Sequence, residues 1–311
     1  MLSNKYIGMI TRYSQGSCTW VDLASPTAEE IREVMEQYSI PPALMADFSG
    51  QTRRGEAAQI GKFIKVTLDF PVVKLTERER SQEIKFLVSK KVLVTARYGD
   101  IPALHQFAKE FEVIATLKRA KKSLHGGHVF IALMDTLYDA LDRQLDYTET
   151  LLDNIEEEIF REHEREMVVE ISRVSQRLIT FRQILLNHED ILKHSQHHFE
   201  AAFPKAYMEL MHDLEVTFDA IARHLSALTA SVVELRETNN SLVSTKQNEV
   251  TKILTIMAFV TFPLTLFAAL FGMNVESMPL VGVDGGFWII ISIMAVAATC
   301  LFSYFKYKRW M

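Results

Sequence analysis

Apolar and polar residues alternate along this chain in two rhythms, and near the end the polar ones almost disappear. Ile64, Val66, Leu68 and Phe70 alternate with Lys65, Thr67 and Asp69, the period-two pattern of a strand with one buried face. The largely apolar runs 83–88 and 92–97 flank Ser89-Lys90-Lys91, which predicts a hairpin. Thr27 followed three residues later by Glu30 forms a capping box that opens a helix over Ala28–Tyr38. A second helical pattern covers 101–111. Residues 1–125 therefore read as an α/β domain.

After Gly126-Gly127 the period lengthens. Segments 129–160 and 165–194 contain no proline or glycine and are rich in Leu, Ile, Glu and Arg, so 126–203 is expected to form a pair of long antiparallel helices. Pro204 offers a helix start, and no proline follows until Pro263, no glycine until Gly272. Leu210, Leu214, Phe218, Ile221, Leu225, Leu228, Val232 and Leu235 recur every three or four residues. One helix of about 65 residues follows, about 100 Å long at 1.5 Å per residue. Its first part, 204–252, is a stalk, and its second, 253–274, is the first of two segments long and apolar enough to span a membrane. The second span is 287–305. No charged residue occurs from 253 to 275 or from 285 to 305.

Composition sharpens this division. Averages of 48% hydrophobic and 23% charged residues resemble a soluble protein only because a charged N-terminal part is averaged with an uncharged C-terminal one. Lys252 precedes the first span, Lys306, Lys308 and Arg309 lie in the tail 306–311, and the connecting loop 275–286 has no Lys or Arg. The positive-inside rule then puts both termini in the cytoplasm and the loop outside, in a multi-pass protein of an inner or plasma membrane. Met1 to Ser14 lacks a signal-peptide pattern. Cys18 and Cys300 lie at opposite ends of the chain, which fits a reducing compartment and no disulfide framework. A net charge of −5 argues against nucleic acid as a partner and leaves membrane lipid and copies of the chain itself. The fold class is α+β, an N-terminal α/β cytoplasmic domain joined by a long stalk helix to the first of two C-terminal transmembrane helices.

The first span carries a seam. Ser241, Ser244, Asn248, Thr251, Thr255, Ala258, Phe262, Thr265 and Ala269 share one heptad face, small or polar except at Phe262, whereas the rest of the span is mostly large and apolar. Polar side chains within a bilayer face protein or water. Several copies of such a face around an axis enclose a water-lined pore, and the same residue types also mark close helix packing. Both readings stand on the sequence alone.

The first span ends in Gly272-Met273-Asn274, followed by Glu276 and Met278-Pro279. This tripeptide at the outer end of the penultimate span, with its short acidic loop and the basic-aromatic tail Lys306-Tyr307-Lys308-Arg309-Trp310, resembles the signature of the CorA family of divalent-cation channels. Asn248-Glu249-Val250, Leu254-Thr255-Ile256 and Phe262-Pro263-Leu264-Thr265 are similar to that family's first span. The resemblance implies a homopentamer whose first spans line the pore, with Mg²⁺ as both the transported and the regulatory ion. It places a ring of Asn274 amide oxygens at the outer mouth, where Gly272 lets the backbone turn and Met273 packs the turn, with Glu276 in the acidic loop. Thr265 and Asn248 become polar rings deeper in the pore, and Thr251, Leu254 and Phe262 fall at its constrictions. Asp213 falls where the family places a cation-sensing acid, with Asp219 nearby and Glu83 or Asp100 as candidate partners. Three departures stand out. Leu280 replaces a second loop acid, Phe271 replaces a tyrosine, and Thr251 is more polar than its counterparts.

The chemistry is coherent without the resemblance. Mg²⁺ holds its water tightly and prefers oxygen ligands, so neutral amide oxygens can bind its hydration shell weakly enough for release. A divalent ion gains about 4.6 kcal/mol per 100 mV of potential, so no ATPase is required. Gly55–Lys62 has the wrong spacing for a phosphate loop. No nucleophile, base and orienting partner cluster, and the acids of 153–158 read as a solvated face, so neither an enzyme nor an organic cofactor is expected. Two alternatives remain: a Zn²⁺, Co²⁺ or Ni²⁺ transporter on the same scaffold, for which His194, His197 and His198 are possible ligands, and a membrane-anchored coiled coil without transport.

Overall fold

The computed structural model describes residues 9–52, 55–72, 80–116, 124–273 and 285–308. They fall into two compact units, one drawn from 1–162 and 166–235, the other from 163–165 and 236–311.

The first unit begins with a six-stranded sheet. Strands β1 (Met9–Gln15), β2 (Cys18–Ala24), β3 (Glu56–Ile60), β4 (Phe63–Val72), β5 (Arg80–Val88) and β6 (Val92–Arg97) lie in the order β1-β2-β6-β5-β4-β3. The β2–β6 pair is parallel and every other pair antiparallel. The β5–β6 hairpin and the helix α1 (Ala28–Tyr38), with Thr27 and Glu30 in a reciprocal capping box, follow the sequence expectation.

The period-two reading of β4 needs correction. Lys65 and Thr67, expected on a solvated face, are 5% and 3% exposed. Helices cover both faces of this sheet, so its central strands are buried on both sides. On one face Ile31, Val34 and Met35 of α1, with Leu44 and with Phe48 of the short α2 (Met45–Phe48), pack on Val21, Leu87 and Val94. On the other, Trp20 meets Phe107 and Phe111 of α3 (Pro102–Thr116) at 5.1 and 6.0 Å. There too Phe86 meets Phe130 of α4 (Gly126–Glu158) at 5.3 Å. Lys65 stays charged because Asp47 and Glu56 lie 2.9 and 2.8 Å from its Nζ. Burial alone would lower its pKa, but those two carboxylates outweigh it and leave the pKa raised.

Gly126-Gly127 opens α4. The amide of Gly126 donates to Lys90 O at 3.2 Å, and a Cβ there would stand 2.2 Å from Ser89 O and 2.8 Å from Val92 O. Only glycine lets the helix start directly on the hairpin backbone. A non-helical kink at Arg161 and Glu162, the latter at φ 74°, separates α4 from α5 (Glu164–Ala202). These two helices are antiparallel, with Phe130 against Phe199 at 5.3 Å and Tyr138 bonded to His188. His188 is buried between Tyr138 and the backbone of β4. Its Nε2 donates to Asp69 O at 2.7 Å and its Nδ1 accepts from the Tyr138 hydroxyl at 3.2 Å. Burial pushes its pKa down to about 4, so it serves the core as a neutral imidazole. Helix α6 (Lys205–Phe271) then runs for 67 residues without interruption, Pro263 included. Its early turns run parallel to α4, with Tyr138 near Phe218 at 5.9 Å.

The second unit pairs the later part of α6 with α7 (Gly286–Tyr307). Both α6 and α7 are long and apolar enough to cross a membrane. Ile256 and Val260 are buried against Phe305, flanked by Leu264 and Leu301. Glu164 and Lys246 of this unit are paired at 3.0 Å, which holds the Glu164 carboxyl below its usual pKa.

Candidate functional site

The seam on α6 acquires a direction from its neighbour. Counting 100° per residue from Ala258, Asn248, Thr251, Leu254, Thr255, Phe262, Thr265 and Ala269 all lie within about 80° of it, while Ile256 and Val260 lie about 160° away. Since α7 packs on Ile256 and Val260, it covers the face opposite the seam. Asn248, Thr251, Thr265 and Ala269 are exposed in the single chain, as are Leu254 and Phe262 at 61% and 72%. Close packing of the two spans of one chain therefore does not account for the small and polar residues.

The threonines are arranged as acceptors. Thr251 Oγ1 donates to Gln247 O at 2.9 Å, Thr255 Oγ1 to Thr251 O at 2.7 Å, and Thr265 Oγ1 to Thr261 O at 2.8 Å. With the hydroxyl proton committed to the helix's own carbonyls, the oxygen lone pairs remain to accept from water. A row of such oxygens suits the hydration shell of a cation.

At the C-terminal end of α6, the Gly272 amide is shared between Ala268 O at 3.0 Å and Ala269 O at 3.2 Å, and the Met273 amide donates to Leu270 O at 3.3 Å. These bonds tighten the last turn and satisfy carbonyls a helix end would leave open. A Cβ at Gly272 would stand 3.3 Å from Ala268 O, so a side chain there would strain this closure. Met273 is 57% exposed in the single chain. Asn274, Glu276, Met278-Pro279, Leu280 and the tail residues Arg309 and Trp310 lie outside the described residues.

Asp213, the proposed sensing acid, has company that the sequence did not disclose. Asp135 of α4 has its carboxyl pushed up to about 6, first by burial and then by the negative charges of Asp139 and Asp213. Three acids on two adjacent helices, one of them reluctant to ionise, form a place where a divalent cation would relieve mutual repulsion. Asp135 and Asp139 are one turn apart on α4, an ordinary helical spacing. Their significance needs the pairing of α4 with α6, which no periodicity reveals.

The other sequence candidates are occupied elsewhere. Glu83 is 2% exposed, accepts from Thr52 N and Oγ1 at 3.0 and 3.1 Å, and lies 3.2 Å from Lys85 Nζ. Asp100 pairs with His105 at 2.8 Å. Asp219 is exposed. His194 and His198 approach edge to face at 5.5 Å, and His197 lies 3.8 Å from Glu200. Among the described residues these histidines do not join a group of three ligand atoms.

Comparison with known proteins agrees with this architecture. A family profile described as CorA-like Mg2+ transporter protein matches residues 15–309. The cobalt/magnesium transport protein CorA of Thermotoga maritima is 24% identical over 297 residues, covering 94% of this chain and 83% of that protein. The complete structure of the CorA magnesium transporter from Methanocaldococcus jannaschii superimposes with a TM-score of 0.83 at 18% identity, covering 95% of this chain and 92% of that one. The full-length CmaX protein superimposes with a TM-score of 0.71 at 15% identity, covering 100% and 93%. With the sheet domain, the helix continuous from stalk to apolar segment, and a profile match across nearly the whole length, the chain belongs to the CorA family of divalent-cation transporters.

Proposed function

We propose that this chain assembles as a homopentameric channel that admits Mg²⁺ down its electrochemical gradient and closes when cytoplasmic Mg²⁺ is sufficient. The observation that carries this reading is the seam of acceptor oxygens on α6, exposed on the face opposite the one α7 covers. Copies of the chain around an axis turn those seams toward one another, and a closed ring supplies one water-lined pore. A coiled coil that merely anchors the protein has no need of such a face.

In this reading α6 and α7 cross an inner or plasma membrane, both termini are cytoplasmic, and the loop 275–286 is outside. Asn274 amide oxygens at the mouth hold the hydrated ion, and Glu276 raises the local cation concentration. Asn248 and Thr265 carry the ion's water through the bilayer, with Leu254 and Phe262 as apolar constrictions and Thr251 as a softer one. Closure begins in the stalk. A cation held by Asp213 with Asp135 and Asp139 favours one arrangement of α6 over another, and α6 is the pore helix itself, so the bias reaches the conduit by differential binding.

The ion is the point at which the alternative scaffold reading enters. The Thermotoga maritima relative is named for both cobalt and magnesium, which makes Co²⁺ the second ion to test, with Zn²⁺ and Ni²⁺ after it. Purified protein in liposomes with an imposed inside-negative potential should take up Mg²⁺, and the rate should rise with the potential. Uptake of Zn²⁺ or Co²⁺ with no Mg²⁺ uptake would replace the magnesium reading with the transition-metal one. No cation flux at all would reject both.

A further inference from the structure

One cluster lies outside the conduit and outside the Asp135, Asp139 and Asp213 group. Asp142 and Asp146 stand one turn apart on α4, and His224 reaches them from α6. The Asp142 Oδ1 is 3.0 Å from His224 Nδ1, and one ligand atom from each of Asp142, Asp146 and His224 lies within 4.8 Å of the others. On the far side of the ring, Glu149 Oε2 lies 3.7 Å from His224 Nε2.

We propose that Asp142, Asp146 and His224 bind a transition-metal dication of the Zn²⁺, Co²⁺ or Ni²⁺ class, at a site complete within one subunit. The donor set makes the choice of ion. An imidazole nitrogen with two carboxylate oxygens suits these metals, whereas Mg²⁺ takes oxygen ligands. Metal bonds of about 2.0–2.2 Å draw ligand atoms closer than 4.8 Å, a contraction that the half-exposed Asp142 and exposed Asp146 can supply by changing rotamer. With Nδ1 on the metal, Nε2–H faces Glu149, whose exposed side chain can close the 3.7 Å gap to a hydrogen bond by changing rotamer. This carboxylate behind a ligating histidine is the arrangement that fixes the ring's tautomer and strengthens its donation. The His224 side chain is 24% exposed, so the remaining coordination positions are open to water. An occupied site ties α4 to α6 about 10 Å along α4 from Asp135.

The test uses the full-length protein in detergent with saturating Mg²⁺ present. Co²⁺ is titrated in and followed both by its visible absorption and by calorimetry. One Co²⁺ per chain is expected, with an absorption band characteristic of nitrogen and oxygen ligation. His224→Ala and Asp142→Asn should each weaken binding by about tenfold or more, while the double variant His194→Gln/His198→Gln leaves it unchanged. Circular dichroism and elution volume verify that each variant is folded and assembled. Should His224→Ala fail to fold, Asp142→Asn, which keeps the side chain's size, decides alone. The proposal is overturned by Co²⁺ affinity unchanged in a folded His224→Ala or Asp142→Asn protein. It is overturned equally by loss confined to the His194/His198 variant, or by ready displacement of Co²⁺ by Mg²⁺.

Discussion

Asp135 holds its proton up to about pH 6 because burial, and then Asp139 and Asp213, disfavour its charge. Its folded pKa lies above the ordinary 3.8. Its contribution to stability is therefore complete below that value and is lost as pH rises through about 6. A bound cation favours the ionised form, so proton and cation compete there. Lowering cytoplasmic pH from about 7.5 to about 5.5 should raise the Mg²⁺ concentration that closes the channel several-fold. Asp135→Asn should raise it at neutral pH and flatten the pH dependence. Asp213→Asn should also raise it and leave the channel leaky at Mg²⁺ levels that shut the wild type. Currents in inside-out patches measure all three, and an unchanged closing concentration in both variants removes this cluster from gating. At the mouth, Asn274→Ala should abolish or greatly reduce flux without disturbing assembly. Glu276→Gln should act more mildly, with an effect that shrinks as salt screens an exposed charge. Liposome flux and native mass spectrometry check the pair. Asp213 entered as a candidate through the family resemblance, by counting along an unbroken helix. Asp135 was not legible, since an acid's neighbours on another helix depend on packing register.

The elements that sequence periodicity predicted best are those whose identity is local. The α1 capping box, the β5–β6 hairpin and the start of α6 after Pro204 each carry their signal within a few residues. Strand β3, Glu56–Ile60, holds little β-branched or aromatic bulk and owes its conformation to pairing with β4. The parallel β2–β6 pairing joins segments far apart in sequence, and the full burial of Lys65 and Thr67 depends on a second helical layer. None of these can be read from a short window. For α6 the seam was legible, but its orientation was not, because only the contact with α7 shows that the two spans of one chain pack on the opposite face. That orientation yields an element-scale prediction. Thr265→Val keeps the side chain's shape but removes the acceptor from the seam, and should lower Mg²⁺ flux several-fold. Thr299→Val, on α7 and likewise donating to its own helix at Ala295 O, should change it little. Equal losses in the two variants would mean that the seam has no special part in conduction.

At the scale of the whole molecule, a water-lined path along this seam requires copies of the chain around one axis. Exposed Leu254, Phe262, Trp288 and Leu266 need lipid or a neighbouring subunit, and a single seam encloses nothing. Native mass spectrometry in gentle detergent should show pentamers, and a preparation of monomers and dimers alone would contradict the assembly. The most direct test of the central claim, that the α6 seam lines the water-filled path of the ion, is thiol accessibility. Cys18 and Cys300, the native cysteines, are replaced by serine. Single cysteines are then placed at Asn248, Thr251 and Thr265 on the seam, and at Ile256 and Val260 on the face against α7. Mg²⁺ flux in liposomes is recorded before and after a charged, water-soluble thiol reagent. Block is expected at the seam positions and undiminished flux at Ile256 and Val260. Unblocked flux at every seam position, or block first at the α7 face, would contradict that claim.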